Sequence, residues 1–261
     1  MRVALVQFTS GHDVGANLAR IEATARSAAA QGAQLAVYPE AAMCAFGAPL
    51  AAIAEPVDGP FGTAVRRLAD ELAMTIVVGM FTPADDGRVF NTLLVAGADG
   101  ISSYAKIHLF DALGFQESRT VAPGDELRRF TLGDATIGLA TCYDVRFPSL
   151  FIENAVAGAQ VAIVSASWGA GPGKVEQWEL LVRARAIDAT SFILACDQAG
   201  PEGGGGSAPT GVGHSMVVSP YGEVLARLGT GQATLIADLD LAAVAAAREA
   251  IPVLRNRRPL G

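Results

Sequence analysis

The sequence predicts a layered α/β protein in which two similar sheets, each covered by helices, are related by pseudo-twofold internal symmetry. Two kinds of observation carry this. Short apolar runs alternate along the chain with amphipathic stretches of helical period, the pattern of stacked sheets and helices. The chain also repeats itself: Gly32-Ala33-Gln34-Leu35-Ala36-Val37 returns as Gly158-Ala159-Gln160-Val161-Ala162-Ile163. Asn91-Thr92-Leu93-Leu94-Val95, followed by a turn at Gly100, returns as His214-Ser215-Met216-Val217-Val218, followed by a turn at Gly222. Both matches fall in the same order, so each half reads strand, helix, strand, helix, strand, hairpin.

In chain order, the apolar runs place strands at 2–8, 34–38, 75–80, 90–96, 136–142, 160–165, 191–196, 213–218 and 233–238. Helical periodicity places helices at about 15–31, 60–73, 146–157, 174–189 and 240–249. Gly32 and Gly158 stand where a left-handed helix stop is wanted. The stretch Gly-Pro-Glu-Gly-Gly-Gly-Gly at 200–206 reads as a mobile loop inside the second half, not as a linker. The 261 residues are therefore expected to form one domain, 1–261.

Composition excludes several function classes. Half the residues are hydrophobic, but no run approaches the roughly 20 apolar residues of a membrane helix. The opening Met1-Arg2-Val3-Ala4-Leu5-Val6-Gln7-Phe8 reads as a strand and lacks the pattern of a signal peptide, so cytoplasmic residence is expected. The formal charge of −7 has no acidic tail or basic stripe behind it, which argues against nucleic acid or an anionic membrane as partner. Three cysteines, Cys44, Cys142 and Cys196, have no metal-like spacing and leave at least one free thiol. Of 19 basic residues only Lys106 and Lys174 are lysine.

Cys142 ends the apolar run Ile137-Gly138-Leu139-Ala140-Thr141 and precedes a helix starting near Arg146 or Pro148. A thiol at such a turn is exposed at a sheet end, near amides that favour a thiolate and bind an oxyanion. The ordinary alternative, a small buried hydrophobe, is about as good for Cys142 alone and better for Cys44 and Cys196. Glu40 leaves the strand Leu35-Ala36-Val37-Tyr38 at its carboxyl end, where open α/β sheets hold ligands, and a partly buried carboxylate there can move a proton. A helix cap or a solvated turn is the alternative. Lys106, in Ser103-Tyr104-Ala105-Lys106-Ile107-His108-Leu109-Phe110, offers a compact charge for an oxyanion in a chain whose habitual cation is arginine.

Tyr-Pro-Glu at 38–40, Lys-Ile-His-Leu-Phe-Asp at 106–111 and Cys-Tyr-Asp-Val-Arg-Phe-Pro at 142–148 occur together and in order. With Val-Ala-Leu-Val-Gln at the start, they resemble the nitrilase, or carbon-nitrogen hydrolase, superfamily over nearly the whole chain. The resemblance implies a four-layer α-β-β-α sandwich and a catalytic set of Glu40, Lys106 and Cys142. It also implies that Glu117, in Gly114-Phe115-Gln116-Glu117-Ser118, holds Lys106 and the substrate amide. The cysteine and lysine segments are similar to the ω-amidase and deaminated-glutathione amidase branch, in which Arg146 is expected to meet a substrate carboxylate; pairing with Asp144 is its alternative. The family further suggests a homodimer or larger assembly.

The expected reaction is hydrolysis of a small carboxamide through a thioester, with ammonia released and no metal or organic cofactor. The Tyr143 backbone amide joins Lys106 at the oxyanion, and Trp168 either walls the pocket or packs in the core. An N-carbamoyl amine hydrolase and a nitrilase are the enzymatic alternatives, and a non-catalytic scaffold of the same fold is the remote one. His12, His108 and His214 are expected to be structural, and Trp178 and Arg183 to serve packing.

Overall fold

The computed structural model describes residues 1–200 and 211–258; the expectation for 201–206 lies outside them. In chain order the first half contains β1 (Arg2–Gln7), α1 (Val14–Ala30), β2 (Leu35–Val37), the short α2 (Leu50–Ile53), α3 (Pro60–Leu72), β3 (Thr75–Pro83), β4 (Val89–Gly97) and β5 (Gly100–Ala105). A small hairpin of β6 (Asp111–Ala112) and β7 (Phe115–Gln116), a 3-10 turn at Glu117–Arg119 and β8 (Val121–Ala122) follow. The second half runs β9 (Arg129–Leu132), β10 (Ala135–Thr141), α4 (Pro148–Val156), β11 (Val161–Ala166), α5 (Lys174–Ala189), β12 (Phe192–Asp197), β13 (Met216–Val218) and β14 (Val224–Arg227). β15 (Ala233–Asp238), α6 (Ala242–Ala250) and α7 (Val253–Asn256) close the chain.

The strands form two main sheets, ordered β15-β1-β2-β3-β4-β5, with β8 beside β4, and β9-β10-β11-β12-β13-β14. In each, a parallel trio is flanked by one antiparallel edge strand and by an antiparallel meander. The sequence repeats match β2 to β11 and β4 to β13, which occupy the same places in the two orders, so the internal symmetry is real. Parallel neighbours need crossover connections, and α1, α3, α4 and α5 supply them.

Three apolar layers hold this arrangement together. Val3 and Leu5 of β1 point into a core shared with Ile137, Leu139, Val161 and Ile163 of the second sheet, while Ala4 and Val6 point the other way, towards Ile21, Ala25, Val65 and Leu68 of α1 and α3. On the far side Ala162 and Val164 of β11 pack with Phe151, Trp178, Val182 and Ala186 of α4 and α5. Successive side chains of a strand face opposite ways, so a strand buried on both faces shows a continuous apolar run in sequence. This is the four-layer α-β-β-α sandwich.

Local chemistry accounts for the helix limits. Asp13 accepts from Ala16 N at 3.0 Å at the start of α1, and Ile21, Ala25 and Ala28 form its buried stripe. Pro60 opens α3, where its missing N–H costs nothing. The expected helix at 146–157 starts at Pro148 because Cys142–Arg146 form a 3-10 turn, whose start is held by Thr141 N donating to Asp144 Oδ2 at 2.8 Å. The strand expected at 213–218 begins only at Met216, after His214 takes a left-handed φ of 54°. β9 was not anticipated: this short edge strand alternates exposed and half-buried residues and so has no apolar run.

Candidate active site

Glu40, Lys106, Glu117 and Cys142 come from four separate segments and meet where strands of both sheets end. Each is buried, at 1%, 2%, 3% and 9% exposure respectively. The Lys106 ammonium donates to Glu40 Oε1 at 3.0 Å and to both oxygens of Glu117, at 3.0 and 2.9 Å. Asn91 Nδ2 donates to the same two carboxylates, at 2.7 Å to Glu40 and 3.2 Å to Glu117. Ser167 N donates to the other oxygen of Glu40 at 2.8 Å, and Phe110 N to Glu117 at 2.7 Å. A buried ion group persists only when its charges and lone pairs are met in this way.

The backbone explains why Glu40 can sit so deep. Tyr38 N bonds to Val77 O at 2.8 Å, and Ala41 turns away with a φ of 56°. Gly79 lies directly beneath: a Cβ there would stand 2.6 Å from Pro39 O and Ala41 N, closer than real contacts allow. Gln198 Nε2 holds Glu40 O at 2.9 Å, and Ser165 Oγ holds Tyr38 O at 2.7 Å, tying the segment to the second sheet. Lys106 continues β5 and is fixed through its own backbone, with N bonded to Asn91 O and O accepting from Gly124 N, both at 2.8 Å.

Asp144 joins the lysine segment to the cysteine turn. Its Oδ2 accepts from Thr141 N at 2.8 Å and from the Tyr104 hydroxyl at 2.6 Å, and its Oδ1 meets His108 N at 3.0 Å and Nδ1 at 2.7 Å. The imidazole stacks on Phe147 with ring centres 3.6 Å apart. His108 is thus structural, and Asp144 is committed to these partners and not to Arg146. Trp178 and Arg183 also serve packing, donating to His214 O at 3.1 Å and Gly222 O at 2.8 Å.

Cys142 departs from expectation in its environment. It takes a left-handed φ of 46° at the head of the 3-10 turn, but the thiol is buried, not exposed. Burial, followed by the Glu40 charge, pushes the thiol well above its ordinary pKa, against the opposing pull of Lys106 and the Ser167 backbone amide. Both raising effects act against a preformed thiolate in this turn. Burial alone would lower the Lys106 pKa, but the charges of Glu40 and Glu117 outweigh it and raise it well above the lysine range. Cys44 and Cys196 are fully buried, with thiols also raised by burial.

Trp168 packs in the core, the second of the two roles foreseen for it. It is buried beside Trp178, with ring centres 5.5 Å apart, and its ring also carries the Arg146 guanidinium at 5.0 Å. Arg146 donates to Gln177 Oε1 at 2.7 Å. Phe110 and Tyr143 pack edge to face with centres 5.1 Å apart.

Sequence reasoning missed three residues. Asn91 was read only as strand, although a polar amide heading a buried apolar run was a usable signal. Asp197 ends the run Phe192-Ile193-Leu194-Ala195-Cys196, and its carboxylate accepts from Trp168 N and Val212 N, both at 2.8 Å. Burial raises its pKa well above the carboxylate range, with Glu40 adding to the effect and backbone donors from Trp168, Val212 and Gln198 opposing it. Lys174 was read as the ordinary first residue of a helix. Its ammonium stands 5.2 Å from the Trp168 ring centre and 5.7 Å from that of Phe110. No group of three or more His, Cys, Asp and Glu among the described residues forms a metal site. No helix among them is long and apolar enough to cross a membrane.

A doubly layered α/β sandwich with a buried carboxylate-lysine-thiol group defines a class of hydrolases that act on carbon-nitrogen bonds. The chain belongs to the carbon-nitrogen hydrolase family, whose model matches residues 2–249. It is 52% identical to a hydrolase of Mycobacterium tuberculosis, over 98% of this chain and 95% of that one. It is 35% identical to the omega-amidase NIT2 of Homo sapiens, with the same coverage. The amidase of the nitrilase superfamily from Nesterenkonia AN1 has the same fold, with a TM-score of 0.83 at 29% identity, over 99% of this chain and 94% of that one. One structure of that amidase, of a glutamate-to-glutamine mutant, shows the acetamide moiety of fluoroacetamide added covalently at the active-site cysteine.

Proposed function

We propose that the protein is an amidase in which Cys142 forms a thioester with a small carboxamide, the ω-amide of a 2-oxo dicarboxylic acid or of a deaminated peptide. The observation that carries this is the buried thiol of Cys142 facing the charge of an equally buried Glu40, whose carboxylate is held by Lys106, Asn91 and Ser167 N. Glu40 accepts the thiol proton as sulfur attacks the amide carbon. The developing oxyanion lies between the Lys106 ammonium and the Tyr143 N–H, which sits in the first turn of a 3-10 helix, where amides lack intrahelical partners. Glu40 returns the proton to the departing nitrogen and ammonia leaves.

Glu40 then takes a proton from water, the hydroxyl adds to the thioester, and cysteine and acid are released. Glu117 keeps Lys106 oriented and accepts from the substrate amide. Arg146 takes the substrate carboxylate on the wall formed by Trp168, using the planar fork that suits a carboxylate. All of these steps use side chains, backbone amides and water. The acetamide adduct on the cysteine of the Nesterenkonia glutamate-to-glutamine mutant supports a nucleophilic role for the matching thiol here, and the name of the human relative supports an ω-amide as substrate. Cytoplasmic residence and one domain over 1–261 belong to it, as does a homodimer, to which the exposed Leu180 and Ile187 of α5 are suited.

The test is ammonia release by the purified protein from a panel of ω-amides, N-carbamoyl amines and nitriles, beside Cys142→Ala. Ammonia from ω-amides without carbon dioxide, abolished in a folded Cys142→Ala protein, is the expected result. Turnover confined to carbamoyl compounds or nitriles would replace the substrate class, and wild-type activity in Cys142→Ala would remove the mechanism.

A further inference from the structure

We propose that Lys174 is a second anion-binding residue at the mouth of this site and that, with Arg146, it selects amides carrying two anionic groups remote from the amide. The inference rests on the amidase reading and extends it to substrate charge. Both cations flank one indole, with the Arg146 guanidinium carbon 5.0 Å and the Lys174 ammonium 5.2 Å from the Trp168 ring centre. Phe110 walls Lys174 on another side at 5.7 Å.

The local backbone builds this placement. Gly171 and Gly173 take φ of 154° and 70°, and Lys174 N bonds to Gly171 O at 3.2 Å, turning the chain back over the ring. Trp168 Nε1 then donates to Lys174 O at 2.9 Å and locks the lysine to the indole it covers. The lysine is half-buried, and burial followed by the neighbouring Arg146 charge lowers its pKa.

The charge balance is what calls for a ligand. Among the described residues neither Arg146 nor Lys174 has a carboxylate within ion-pair distance, and Arg146 bonds only to the neutral Gln177 amide. Every other cation in the site is compensated, since Lys106 has two carboxylates. One substrate carboxylate offsets one of the two mouth charges, and a second anionic group offsets the other. Glu40 and Glu117 lie deeper in the site, so the field also orients such a substrate, with its anionic end outward at the cations and its amide inward at Cys142.

Trp168 and Trp178 are the only tryptophans in the chain, so their fluorescence reports on this wall. In a Cys142→Ala protein, titration with glutarate should give a Kd at least about tenfold below that for butyrate, the advantage one added charge contact supplies. In Cys142→Ala with Lys174→Gln that ratio should shrink to about twofold or less, and Lys174→Arg should recover most of it. In the active protein, Lys174→Gln should lower the ratio of kcat/KM for a dianionic amide to that for its monoanionic analogue by about tenfold, through KM. An unchanged glutarate-to-butyrate ratio in the Lys174→Gln protein would overturn the proposal, as would an equal fall for both ligands. Absence of ammonia release from every amide would sink the amidase reading, while the glutarate titration would still decide the role of Lys174.

Discussion

Lys106 donates to Glu40 Oε1 at 3.0 Å although neither side chain is more than 2% exposed, so a complete ion pair is sealed inside the protein. Removing the cation leaves Glu40 and Glu117 as uncompensated buried charges. Lys106→Ala should therefore lose roughly 3–5 kcal/mol of stability in urea unfolding, as broken buried pairs do.

Lys106→Arg keeps the charge but not the compact ammonium. Its turnover should fall by roughly 100- to 1,000-fold, the usual cost of a displaced oxyanion donor, as read by steady-state ammonia release. The control for this lies away from Lys174, for which a role in the site is proposed above. Arg26→Lys, on the half-exposed flank of α1, is a suitable one. Near wild-type turnover by a folded Lys106→Arg protein would remove the lysine from the chemistry.

The raised pKa of the Cys142 thiol predicts a pH profile. A thiol pKa raised above the ordinary value of about 8.5 leaves the group protonated through neutrality, so its thiolate fraction grows about tenfold per pH unit across that range. Alkylation of Cys142 by iodoacetamide should keep accelerating past pH 9. A plateau below pH 8 would mean that the turn holds a thiolate after all, and that Glu40 is not needed to take the proton.

Arg146→Lys replaces a planar fork by a point charge. The Michaelis constant for a carboxylate-bearing amide should rise several-fold more than that for a neutral amide of the same length, with kcat little altered. Equal changes for both substrates would take Arg146 out of the binding site.

Asp197 holds the backbone of Trp168 and of Val212, each through one carboxylate oxygen at 2.8 Å. In Asp197→Asn one of these N–H groups must face an NH2, an unmet buried donor costing roughly 1–3 kcal/mol. Thermal unfolding should show that loss, and the shifted Trp168 should raise KM more than it lowers kcat. A variant with unchanged stability and kinetics would show that the Trp168 backbone does not depend on this carboxylate.

Much of the fold is legible in the sequence because its signals are local. The buried faces of β1 and β11 are written as continuous apolar runs, the stripe of α1 as Ile21, Ala25 and Ala28, and the symmetry as two repeats in order. β9 is not legible, since a strand at a sheet edge needs no apolar run, and neither is the 3-10 turn that delays α4 to Pro148. Three short motifs brought Glu40, Lys106 and Cys142 forward as candidates, together with Glu117, Arg146, Tyr143 and Trp168.

The sequence by itself determined the α/β layering, the twofold and the identity of these candidates, because each depends on residues near one another in the chain. The tertiary structure decided what depends on distant segments and on burial. It placed Asn91 between two glutamates, set Asp144 as the tie between the lysine and cysteine segments, and put Asp197 beneath Trp168. It also turned Lys174 from an apparent surface residue into a neighbour of Arg146. The protonation of Cys142 belongs here too, since the thiol's pKa is set by its exclusion from water and by the Glu40 charge, which comes to it from the other sheet.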